Sequence, residues 1–250
     1  MIRRIGIPFI LVLALLVPWG ARAQSSQFGR CEVDAELTAG KPLPRVSEAL
    51  GAGAPVQVVV MGSTSSMGRG ASARAKSYAR QLEAAIAAAL PGRRFIVADK
   101  TAEDRTALTM RDRIGIEVVP LAPALVIWEI GTTDAIRHLD PTDFGEAVDE
   151  GLAALHQAGI DVILVAPMFN PNAPSIINYE PFLDIMQQVA GAYEVSVFLR
   201  GAVMRQLFEE GNMSLVPGGD RGSATRAVDG LNACVARLLA TMIARGAASN

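Results

Sequence analysis

Val56-Gln57-Val58-Val59-Val60-Met61-Gly62-Ser63-Thr64-Ser65-Ser66-Met67-Gly68 decides how the chain is read. A continuous branched apolar run suits a strand buried on both faces, as in the middle of a parallel sheet. It stops at a glycine followed by four consecutive hydroxyl side chains. In open α/β sheets, such a turn at the C-terminal end of a strand is where ligands bind and nucleophiles are displayed.

Outward from this stretch, strands and helices alternate. Ala75, Tyr78, Ala79, Leu82, Ala85, Ile86 and Leu90 recur at helical spacing and predict a helix over 72–90, ended by Pro91-Gly92. Further strands are expected at 94–98, 123–130 (PALVIWEI), 162–166 and 195–199. Helices are expected at 103–114, 143–157, 180–191, 201–210 and 228–244, with a proline-rich loop at 167–177. This alternation predicts an α/β fold, a three-layer α/β/α sandwich around a five-stranded parallel sheet. Right-handed crossovers narrow the strand order to the flavodoxin-like 2-1-3-4-5. The ends of strands one and three then lie side by side, so Gly62 to Ser66 should face Gly131-Thr132-Thr133-Asp134.

At the N-terminus, Arg3 and Arg4 precede an apolar core from Ile5 to Trp19 and then Ala21-Arg22-Ala23, the layout of a secretory signal peptide. The core is shorter than the roughly 20 residues of a membrane span, and no later stretch is expected to cross a bilayer. The expected organisation is a signal peptide over 1–23, an extended lead-in over 24–54 with a short helix at 46–50, and one domain over 55–246. The mature protein is expected to be exported, to the periplasm or beyond. Removing residues 1–23 takes away three arginines and no acid, so a net charge of −2 becomes −5. That argues against nucleic acid as a partner. In an oxidising compartment the two cysteines, Cys31 and Cys234, suggest a disulfide closing a loop of about 200 residues; two buried free thiols are the alternative. No Cys/His/carboxylate cluster has metal-ligand spacing, and the 62–70 turn lacks the lysine of a P-loop, so neither metal nor cofactor is expected.

The chain resembles the SGNH/GDSL hydrolases, serine esterases and lipases of this sheet topology, from about Val56 to Ala244. Their first block, Gly-Asp-Ser-x-x-x-Gly after a strand, has the frame of Gly62-Ser63-Thr64-Ser65-Ser66-Met67-Gly68. It looks especially like a bacterial subgroup that carries Gly-Ser-Ser-Ser-Thr-Ala-Gly there and a cysteine in its lead-in, as Cys31 is here. The third block, Gly-x-Asn-Asp, matches Gly131-Thr132-Thr133-Asp134. The resemblance implies that Thr64 takes the nucleophile position and Thr133 that of the oxyanion-hole asparagine, with the second-block glycine near Thr101 or Ala102. For the closing Asp-x-x-His block two alignments compete. Asp229-Gly230-Leu231-Asn232 supplies an acid at Asp229 but asparagine for histidine, whereas alignment through Cys234 puts Arg226 near the histidine position.

Physical chemistry says what these substitutions cost. A serine attacks because an imidazole takes its proton and an acid orients the imidazole, while N–H groups receive the oxyanion. Arg226 stays charged and Asn232 does not titrate, so neither is a base. Losing the base alone costs about six orders of magnitude in a serine protease, and an oxyanion donor about two to three. His138, one helical turn past Asp134, and His156 are the chain's two histidines, and both read as ordinary structural or solvated residues. Ser63 and Ser65 are candidates for a displaced nucleophile. The expectation is therefore an exported, catalytically impaired member of the fold that binds an acyl, glycan or other small ligand through Gly62, Ser63, Thr64, Gly131, Thr133 and Asp134. An active ester hydrolase with rearranged residues, and a structural protein that makes no use of a pocket, are the alternatives.

Overall fold

Strand β1 (Val56–Gly62) is an interior strand of the sheet, paired on both sides, with Val58 and Val60 turned to one face, Val59 and Met61 to the other, and all four fully buried. In this computed structural model, which describes residues 27–169, 177–215 and 220–249, four more parallel strands follow. They are β2 (Phe95–Thr101), β3 (Leu125–Glu129), β4 (Asp161–Val165) and β5 (Ser196–Phe198), in the order β2-β1-β3-β4-β5. The register sets Met61 beside both Lys100 and Trp128. The order is the 2-1-3-4-5 expected from the sequence. The signal-peptide reading of 1–23 lies outside the described residues, as does 170–176 of the proline-rich loop.

The helices, in chain order, are α1 (Pro44–Gly51), α2 (Tyr78–Ala89), α3 (Ala107–Arg111), α4 (Thr132–Ile136), α5 (Pro141–Gln157), α6 (Glu180–Ala192), α7 (Arg200–Glu209) and α8 (Arg221–Ala248). Helices α1, α2, α7 and α8 pack on the face of Val58 and Val60, while α3, α5 and α6 cover the face of Val59 and Met61. Gly151 lets α5 approach closely, since a Cβ there would run into the Trp128 indole. The lead-in is tied down too. Gln27–Phe28 pairs antiparallel with Met213–Ser214, Phe28 packs where Gly230 leaves room on α8, and Cys31 forms the disulfide with Cys234 at a Cα separation of 5.5 Å.

Three elements differ from the sequence expectation, each because a cap or turn overrides periodicity. Helix α2 starts at Tyr78 rather than near 72, because Ser77 caps it by accepting a hydrogen bond from the Arg80 N–H and the chain ahead turns through left-handed Gly68 and Gly70. The expected 103–114 helix is only α3, after which the chain widens into a π turn at Ile114–Val118. Helix α8 starts seven residues early, because Asp220 accepts from the N–H groups of Gly222 and Ser223 and so caps it. The expectation that no later stretch could cross a bilayer also needs correcting. By length and composition α8 could do so, yet in this structure it is a mostly buried core helix against α2 and the sheet.

Candidate functional site

At the C-terminal edge of the sheet, the glycine turn after β1 meets the end of β3, as the strand order requires. The residue that organises the meeting is Glu129, the last of β3 and fully buried. Its Oε2 accepts from the backbone N–H and Oγ–H of Ser63 and from the Oγ–H of Ser66, each at 3.0 Å. Its Oε1 accepts from the Ser65 Oγ–H at 2.9 Å and from Arg200 Nη2 at 3.1 Å. The same guanidinium nitrogen reaches the Thr132 Oγ1 at 3.2 Å and the Ser65 Oγ at 3.3 Å. Ser66 Oγ and Tyr78 OH close the network at 2.6 Å. Gly62 is required here, because a Cβ would overlap the Ser66 Oγ.

The electrostatics follow from that geometry. Burial alone would push the Glu129 carboxyl upward, but the Arg200 charge and the hydrogen bonds from Ser63, Thr132 and Ser65 outweigh it and hold the group below the ordinary glutamate range. Burial, chiefly, raises the Tyr78 hydroxyl well above its ordinary value. Glu129 is therefore ionised and Tyr78 neutral at pH 7, and the pair Glu129–Arg200 is a buried ion pair with side chains 0% and 4% exposed. A carboxylate held this low is a weak proton acceptor.

The other residues singled out from the sequence fall into two groups. Gly62, Ser63, Thr64, Ser65, Gly131, Thr133 and Asp134 do gather at this edge. Ser63 and Ser66 are buried as donors to Glu129, whereas Thr64 and Ser65 keep partial exposure. Thr64 Oγ1 accepts from the Asp104 N–H at 3.1 Å and lines a cavity of about 370 Å³. Thr133 is buried in α4. Asp134 accepts from the N–H groups of Ala107 and Gly131, so it staples α3 to the end of β3; burial raises its carboxyl above the ordinary range despite those two bonds.

The second group lies elsewhere. Asp229 lies inside α8 and takes the Ser72 N–H at 2.9 Å and Oγ–H at 2.5 Å, fastening the shoulder of the turn. Among the described residues, Asn232 is buried in the same helix with its Nδ2 unpaired, and Arg226 reaches Asp220 at 4.0 Å. His138 is exposed and left-handed, and His156 meets the Tyr193 ring. Among the described hydrogen bonds, none joins a histidine to a hydroxyl of the turn. At the second-block position, the Thr101 N–H is spent on Asp99 and the Ala102 N–H on the Gly62 carbonyl.

Sequence reasoning passed over Glu129 and Arg200. The signal was present: an acid at the end of the otherwise apolar PALVIWEI, and an arginine directly after the strand Val195 to Leu199. A charge in a fully buried strand needs a partner. A second cavity, of about 570 Å³, lies between α6 and α7 and is lined by Phe169, Tyr179, Leu183 and Arg205 among the described residues.

Comparison with known proteins agrees with this geometry. A sequence profile of the non-GDSL lipase-like family matches residues 30–249. No curated protein matches the chain. Among solved structures, the lipase/acylhydrolase of Enterococcus faecalis superposes with a TM-score of 0.55 at 20% identity, covering 76% of this chain and 94% of that one. An acetylxylan esterase of Geobacillus stearothermophilus, solved as a catalytic mutant, gives 0.59 at 12% identity, covering 78% and 95%. A hydrolase from the metagenome of Lake Arreo, Spain, gives 0.56 at 20% identity, covering 73% and 96%. These likenesses establish the SGNH/GDSL-type hydrolase fold. With the profile spanning nearly the whole sequence, the chain belongs to the non-GDSL lipase-like family.

Proposed function

We propose that the protein is an exported, catalytically impaired member of this family that binds a small ligand at the turn after β1 instead of hydrolysing an ester there. The observation that carries the reading is the disposition of the hydroxyls. Ser63, Ser65 and Ser66 all donate to a buried carboxylate that Arg200 keeps ionised. Thr64, which alone of the four makes no bond to Glu129 and lines the 370 Å³ cavity, has no described histidine bonded to it. The N–H groups that would receive an oxyanion beside it, on Thr101 or Ala102, are bonded within the protein. Nucleophile activation by a histidine and oxyanion donation from the second-block position are thus both unsupported, and at the oxyanion-hole position Thr133 offers a hydroxyl in place of an asparagine amide.

One observation favours the second reading, an active ester hydrolase. Ser65 is partly exposed and its Oγ lies 2.9 Å from Glu129 Oε1, a serine–carboxylate pair. The low proton affinity of Glu129 weighs against it. Steady-state turnover of short-chain p-nitrophenyl esters separates the two: a rate indistinguishable from the T64A/S65A double variant supports the binding reading, and turnover that the double variant abolishes refutes it.

A further inference from the structure

The 370 Å³ cavity carries information about what it binds. Two segments wall it, Met67 to Arg74 and Glu103-Asp104, with Thr64 between them. Its apolar lining is confined to Met67 and the small Ala71 and Ala73, too little surface for an acyl chain. Its polar lining is charged with both signs. Arg74 is pinned in the wall, its Nη2 bonded to Asp99 and to the backbone and side-chain oxygens of Thr101. Asp104 is paired with Arg137 at 3.4 Å. That leaves one cation and one anion: among the described residues neither Arg69, on the first wall, nor Glu103, on the second, makes an ion pair or a hydrogen bond. Thr64 Oγ1 already accepts from the Asp104 N–H, so its own proton is available to a ligand acceptor.

We propose that this cavity binds a small zwitterion of amino-acid or dipeptide size, its carboxylate taken by Arg69 and the Thr64 hydroxyl and its ammonium by Glu103. This deepens, and rests on, the reading of the cleft as a binding site. A single-sign ligand satisfies one free charge and leaves the other facing it unpaired, which is how such a site discriminates. The fit to size is direct, since 370 Å³ is at the small end of ligand pockets.

The test is a three-probe titration by calorimetry at low salt: alanyl-alanine as zwitterion, N-acetylalanine as anion and alaninamide as cation. The zwitterion is expected to bind about tenfold tighter than either singly charged probe. Arg69→Gln should remove its advantage over alaninamide, and Glu103→Gln its advantage over N-acetylalanine; both side chains are exposed, so the fold survives. Equal affinity for all three probes, no binding of any, or indifference to both substitutions would overturn the proposal. Ester turnover, measured separately, bears on the functional reading alone: hydrolysis alongside intact zwitterion selectivity would refute impairment and leave the ligand class standing.

Discussion

At the scale of the residue, the molecule turns on a carboxylate that water never touches. Removing one partner from a buried ion pair leaves the other uncompensated, at a cost of about 3–5 kcal/mol. Arg200→Met should therefore lower the melting temperature by on the order of 10 °C, and the double variant with Glu129→Gln should recover much of that; thermal unfolding of the four proteins in the cycle checks both. The pH dependence has a definite sign. Because the folded-state pKa of Glu129 is depressed, its contribution is fully present above the unfolded value of about 4.3 and is lost as pH falls through the folded value. Urea unfolding between pH 7 and pH 3 should show a steeper acid-side loss of stability in the wild type than in Glu129→Gln. Asp134 works the other way, since its raised pKa adds a penalty once pH exceeds the unfolded aspartate value.

At the scale of the element, close approach and capping decide what periodicity cannot. Helix α5 reaches β3 because Gly151 makes room for the Trp128 ring. Gly151→Ala should overpack this contact and cost about 1–3 kcal/mol, read as a fall in urea midpoint with an unchanged m-value. Such contacts also mark the limit of what the sequence could tell. The five strands and their order were legible because branched apolar runs bounded by glycine and proline leave few alternatives. The start of α8 was not, since the first turns after Asp220 are polar and only the cap reveals them. With the helix beginning at Arg221, Asp229 lies about two turns inside it, where it holds Ser72. Glu129 escaped notice for a related reason: its three serine partners were visible as a cluster, but the carboxylate they serve lies 63 or more residues away in sequence and joins them only through the β1–β3 adjacency.

At the scale of the whole molecule, the lead-in and the last helix are one structural unit, because Cys31–Cys234 joins them across 203 residues. On the chain-entropy model such a loop is worth about 5 kcal/mol, of which native strain can take a part. Cys31→Ser with Cys234→Ser should therefore melt well below the wild type, and reductant should lower the wild-type melting temperature while leaving the double variant unchanged. The turn itself is packed inside this stabilised frame, with α8 fastening its shoulder and Arg200 of α7 charging its floor. The hydrolase-type fold is thus complete, with two of the four hydroxyls of its turn, Ser63 and Ser66, buried as donors to Glu129. The most direct test is intact-mass analysis after prolonged incubation with a fluorophosphonate, which phosphonylates activated serine or threonine hydroxyls. No adduct is expected on residues 63–66; a stoichiometric adduct on Thr64 or Ser65, lost in Thr64→Ala or Ser65→Ala, would show an activated nucleophile and overturn the reading of the turn as a binding site.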